Sequence, residues 1–144
     1  MTREDCIEFA VQNPVCTVAT VDADQPKARI FMMWRADDSG FYFCTRTKKR
    51  VCKELEANPN VELCFYKPGA DPTDMGAMLR VSGTAEFVDD ISLKERLLSE
   101  WAFLKEMGVT GAADPDLSIF RLTTGRMDYW TSNGVCENIE SVIL

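Results

Sequence analysis

Short apolar segments, interrupted every ten or so residues by tight-turn chemistry, constrain this chain more than any other feature. Val15 to Val21 is β-branched and apolar, and Asp22-Ala-Asp-Gln-Pro26 follows as a turn. Lys27 to Arg35 reads as a second strand, with Ala28, Ile30, Met32 and Trp34 on one face and Arg29, Phe31, Met33 and Arg35 on the other. Asp37-Asp-Ser-Gly40 turns the chain into a third strand, Phe41 to Thr45. Val61 to Lys67 alternates cleanly, and Ala77 to Val88 is long, with Gly83 marking a bulge or a close approach. Leu117 to Thr123 and Arg126 to Trp130 read as two strands joined at Thr124-Gly125, and the tail after Gly134 is weakly patterned. Connections this short make a mostly antiparallel sheet.

Helical patterns are fewer. Glu4 to Gln12 stops at Asn13-Pro14, because the residue before proline avoids the helical region. A second helix, about Lys48 to Asn58, has Thr45 and Thr47 as candidate N-caps. A third begins near Asp89, Asp90 or the Ser92-Leu-Lys-Glu95 capping pattern, carries Leu97, Trp101 and Leu104 as its stripe, and ends at Gly108. The expected fold is mainly β with flanking helices: six to seven mostly antiparallel strands and two to three helices, closed into a barrel. With 144 residues and no linker or repeat, one domain spanning 1–144 is expected.

Composition removes several functions. The chain has no histidine, so Ser-His-Asp and Cys-His nucleophile pairs and His-ligated metals are excluded. The six cysteines form no Cys-x-x-Cys pair and read as buried thiols. A net charge of −7 argues against a nucleic-acid surface. No apolar run is long enough to span a membrane, and the charged N-terminus does not read as a signal peptide, so a cytoplasmic location is expected. Asp37-Asp38, Asp89-Asp90 and Asp114/Asp116 occupy turn and cap positions, where aspartate bonds the local backbone.

Against this acidic background, Arg46, Lys48, Lys49, Arg50 and Lys53 concentrate five of the sixteen cations between a strand and a helix start. Free amide groups, hydroxyls and cations at a helix start suit a phosphate group. Arg29 stands on a strand face with Phe31 and Met33, where a cation needs a partner.

The ordered pieces Asn13-Pro-Val-Cys-Thr-Val-Ala-Thr20, Pro26-Lys-Ala-Arg-Ile-Phe-Met32 and Phe41 through Leu63 resemble the pyridoxamine 5′-phosphate oxidase-like family of FMN-binding split barrels, particularly its small bacterial members. That resemblance implies a homodimer with FMN in two clefts at the subunit interface. It implies that Arg29, Ile30, Phe31 and Met32 lie along the flavin. It places Thr45, Thr47, Lys48, Lys49 and Arg50 at the phosphate, although Lys49-Arg50-Val51 stands where the oxidase has Ser-Arg-Lys. It also makes Trp130, in Arg126-Met-Asp-Tyr-Trp130, a flavin contact from the partner subunit. The implied function is a flavin-dependent oxidoreductase taking a nicotinamide or small organic donor. The oxidase's substrate pattern has a histidine between C-terminal arginines, and its absence argues against pyridoxamine phosphate as substrate. The alternatives are a flavin-storage module, or a split barrel holding another anionic cofactor such as a deazaflavin or haem.

Overall fold

In a computed structural model describing all 144 residues, eight strands form one antiparallel sheet, with four helices around it. Helix α1 (Arg3–Gln12) leads into β1 (Val15–Asp22), β2 (Gln25–Met32), β3 (Arg35–Asp37) and β4 (Gly40–Arg46). Helix α2 (Arg50–Ala57), β5 (Asn60–Lys67) and β6 (Ala77–Val88) follow. Then come α3 (Ile91–Glu100), the single turn α4 (Phe103–Glu106), β7 (Leu117–Ser132) and β8 (Glu137–Ile143). The strand order is β2-β1-β5-β6-β7-β4-β3, with β8 added beside β7. No helix is long and apolar enough to cross a membrane.

The sheet curls on itself. Phe31 of β2 meets the rings of Phe43 on β4 and Phe120 on β7 edge-on at 6.0 and 5.8 Å, although β2 and β4 lie far apart in the strand order. Closure stays incomplete. Strand β2 pairs with β1 alone, and β4 beyond Tyr42 pairs with β7 alone, so two strand edges are left facing a gap. This is a split barrel. One core fills its interior around Phe41, Phe43, Leu63, Phe65, Leu79 and Phe120. A second core, with Trp34, Tyr42, Leu97, Leu104 and Ile119, seats α3 and α4 against the outside of β4 and β7.

Several expectations change. The strand begun at Lys27 breaks at Met33-Trp34, because Met33 N–H bonds Pro14 O and Trp34 N–H bonds Tyr42 O, so the chain changes partner from β1 to β4. The two strands expected around Thr124-Gly125 are one, β7. Gly125 adopts φ +152° opposite Gly83, at the register shift that bends β6, and a side chain on Gly125 would collide with the Ser82 carbonyl. The weakly patterned tail is strand β8, which pairs with β7 from Arg126 to Ser132. Helix α3 ends at Trp101, not near Gly108, and a separate turn, α4, follows. Asp90 caps α3 by accepting from Leu93 N–H. Thr45 and Thr47 do not cap α2; Lys49 holds that position without a side-chain bond.

Asp116 fastens the segment between β4 and α2. Its carboxylate accepts from Arg46 Nε at 2.8 Å, Thr47 Oγ1 at 2.8 Å and Lys48 N–H at 3.3 Å, while Thr47 N–H donates to its carbonyl. The hydrogen bonds from Arg46 and Thr47 hold its pKa at about 2. Asp114 is likewise lowered, by the Thr110 and Asp116 amides.

Two outcomes follow. Gly125→Ala should destabilise the protein by about 1–3 kcal/mol in urea unfolding, since it adds a collision to a left-handed backbone. A carboxyl whose folded pKa is depressed stabilises above its unfolded pKa and loses that contribution as pH falls through the folded value. Stability should therefore drop between about pH 4 and pH 2, with a shallower drop in Asp116→Asn, read from unfolding midpoints across that window.

Candidate functional site

The gap in the barrel opens into a cleft of about 930 Å³. Its walls are β2 from Lys27 to Met32, the end of β4 from Cys44 to Arg46, the start of α2, and the α3–α4 corner. Alternation along β2 turns Arg29 and Phe31 towards the barrel and leaves Ile30 and Met32 exposed.

Two cations of the cleft are already committed. Arg29 forms an ion pair with the buried Glu54 and donates to Thr20 Oγ1 at 2.6 Å and Val18 O at 3.3 Å. Thr20 in turn donates to Glu54 at 2.6 Å. Burial pushes the Glu54 pKa up, but the Thr20 hydroxyl and the Arg29 charge outweigh it and leave the carboxyl below its usual value. Arg46 is held by Asp116 and, at 3.8 Å, by Asp114. By contrast, Lys27, Lys49 and Arg50 line the cleft and take part in no ion pair. They are the charges left for a ligand.

Thr45 adds a second open valence. It lines the cleft at 5 % exposure, and its hydroxyl has no hydrogen-bond partner. A buried hydroxyl left unpaired costs about 1–3 kcal/mol, which a bound acceptor or donor would recover. Helix α2 has no side-chain cap, so its first-turn amides are not claimed by a side chain. Cys44 also lines the cleft, but burial pushes its thiol up to about 11, so it is no thiolate nucleophile near neutral pH.

Of the residues expected at the site, Arg29, Ile30, Phe31, Met32, Thr45, Lys49 and Arg50 line this one cleft. Thr47 and Lys48 sit beside it, bound to Asp116 through hydroxyl and backbone. Trp130 lies elsewhere, on the β7–β8 face, where its indole N–H donates to Glu137 at 2.7 Å. The sequence reading missed Lys27, Glu54, Trp101, Phe103 and Met107 as cleft residues. Phe103 and Met107 fall off the Leu97–Trp101–Leu104 stripe, and that misfit was the available signal. The break at Trp101 turns them to the cleft, where both remain exposed.

The chain matches known proteins over this same architecture. A family profile described as pyridoxamine 5′-phosphate oxidase matches residues 3–131. A pyridoxine/pyridoxamine 5′-phosphate oxidase from Cupriavidus necator is 41% identical over 75 residues, covering 51% of this chain and 33% of that protein. The chain thus aligns with about a third of the length of that relative. Among solved structures, a NimC/NimA family protein from Clostridium acetobutylicum superposes with a TM-score of 0.76 at 23% identity, covering 96% of this chain and 91% of that one. General stress protein 26 from Bacillus anthracis gives 0.76 at 19% identity over the full length of both. A haem storage protein from Vibrio cholerae shares the fold at a TM-score of 0.65 and 17% identity, covering 85% of this chain and 89% of that one. With the profile spanning β1 through most of β7, the chain belongs to the pyridoxamine 5′-phosphate oxidase family.

Proposed function

We propose that this protein binds FMN in the barrel cleft and acts as a flavin-dependent oxidoreductase. The carrying observation is the pair of unpaired cations Lys49 and Arg50 at the uncapped start of α2, with unpaired Lys27 of β2 and the orphan Thr45 hydroxyl in the same cleft. These groups fit a phosphate monoester: charge-assisted donors and open amides at one end, apolar walls at the other. FMN, when bound, supplies hydride or electron transfer. The chain's own residues do the rest. Lys49 and Arg50 hold the phosphate, and Thr45 hydrogen-bonds beside it. The outer edge of β2, unpaired to any strand, offers backbone groups to the ring. Arg29, pinned by Glu54 and Thr20, is a fixed positive charge near the ring instead of a mobile phosphate ligand. Phe31, Met32 and Trp101 exclude water from the apolar end.

The working unit in this reading is a homodimer. On the outer face of the sheet, Met32 is paired with Val15, Tyr66 with Met78, Met78 with Trp130, and Trp130 with Ile139. Continuing the β1–β5 register sets Val15 opposite Tyr66, so one apolar row crosses six strands. Val15, Met32 and Tyr66 are each about half exposed, and Ile30 beside them is 68% exposed. A second copy covering this row would bury it and would bring Trp130 near the partner's cleft. Against haem stands the lack of any histidine and the high thiol pKa of Cys44.

Four measurements test this. Protein reconstituted with FMN should be yellow, dimeric by light scattering, and bleached by NADH or NADPH with reoxidation in air. Colourless protein that takes up no flavin removes the proposal, and bound flavin that no donor reduces leaves a storage role. Lys49→Ala with Arg50→Ala should weaken FMN by roughly 3 kcal/mol, about a hundredfold in Kd, in a fluorescence titration; unchanged affinity refutes the phosphate assignment.

A further inference from the structure

Lys94 breaks two rules at once. It is a lysine at 8% exposure, and it ends the first turn of α3, where the helix dipole favours anions. Its ammonium has one partner, Asp89, at 3.2 Å. The Asp89 side chain is 95% exposed, so the pair is of the weak, solvated kind. An ammonium carries three donors, and one is used. Buried cations are ordinarily compensated, and folds keep such local conflicts chiefly at sites of function.

Lys94 and Asp89 both line a recess of about 490 Å³ formed by the end of β6, the start of α3 and the segment leading into β7. Contact with so exposed a carboxylate places the ammonium at the mouth of this recess. Val88, Ile91, Ala112, Pro115 and Leu117 supply apolar walls, and Leu117 alone is shared with the cleft. Two other polar groups of the wall are engaged elsewhere. Thr47 donates to Asp116 at 2.8 Å. Asp114 is 7% exposed; its two oxygens accept from the Thr110 and Asp116 amides at 3.0 and 2.9 Å, and Arg46 lies 3.8 Å from one of them. The Asp114 charge still faces any anion in the recess, and it opposes a dianion twice as strongly as a monoanion.

We propose that this recess is a binding site for a short aliphatic monocarboxylate. The ligand's carboxylate takes the Lys94 ammonium from Asp89, which turns out into water, and its alkyl chain lies along Ile91, Ala112 and Leu117. Withdrawal of that chain from water drives the exchange, because one carboxylate simply replaces another on the ammonium. The positive end of α3 acts in the same sense as the ammonium. The site stands apart from whatever occupies the cleft.

The test titrates the full chain with valerate and with uncharged valeramide, read by calorimetry. Valerate should bind at least tenfold more tightly than the amide. Lys94→Met keeps an unbranched apolar stem and deletes the charge, so it should lose that preference, with an equal or higher melting temperature. Asp89→Asn alters an exposed side chain and removes the competitor, so it should tighten valerate about threefold. Lys49→Ala with Arg50→Ala should leave valerate affinity unchanged, which separates the recess from the cleft. Should Lys94→Met fail to fold, the other two variants still decide. Amide binding as tight as valerate, no binding of valerate, full preference in Lys94→Met, no gain in Asp89→Asn, or loss of binding in the cleft variant overturns the proposal.

Discussion

The three hydrogen bonds to the Asp116 carboxylate fix the course of the chain between β4 and α2. They consume Arg46, Thr47 and the Lys48 amide, and in doing so decide which members of a dense basic run remain free. Lys49 becomes the cap position of α2 and Arg50 its first residue, both at the cleft. The Glu54–Thr20–Arg29 cluster performs the same sorting on the opposite wall. An unpaired carboxylate buried in that position would be costly, and Arg29 is what stabilises it. Structural charges and ligand-directed charges are thus separated within one cleft by which cations already have a carboxylate.

The cleft exists because the sheet stops short of closing. Phe31 reaches across to Phe43 and Phe120 and seals the interior, yet no hydrogen bond joins β2 to β4. The open edges are the liability that sheets ordinarily cover. Here α3 and α4 cover part of the opening with Trp101, Phe103 and Leu104, and the remainder is the cavity.

Much of this was legible in the sequence. β-Branched, apolar composition placed β1, and period-two alternation placed β5 and β6, nearly to the residue; each has one face in the core and one outside. Gly83 marks a bulge or a close approach in the sequence, and both are present: the register shifts there, and a side chain on Gly83 would collide with the Thr124 carbonyl. Other features depended on partners that a local reading cannot see. Thr124-Gly125 carries turn chemistry, but pairing with β6 across Gly83 and with β8 beyond Arg126 makes it a bend within one strand. The tail has little apolar pattern because β8 is an exposed addition to β7, with only Val142 and the terminal Leu144 packed on the core. For the cleft, the basic run and the β2 segment were visible in order and composition. Glu54 was not, since a carboxylate in a helix looks solvated until Arg29 is placed beside it. The helix break at Trp101, which presents Phe103 and Met107, follows from packing on β4 and not from any local breaker.

The three unpaired cations sit in a molecule with a formal net charge of −7. At a distance an approaching dianion meets a repulsive field, and only within a few ångströms does it meet attraction. At physiological ionic strength the screening length is about 8 Å, which mutes the far field more than the contact. Moderate salt should therefore hasten the approach of a phosphorylated ligand while weakening its hold on the exposed Lys27, Lys49 and Arg50, whereas a basic protein that steers its anion in from afar loses on both counts.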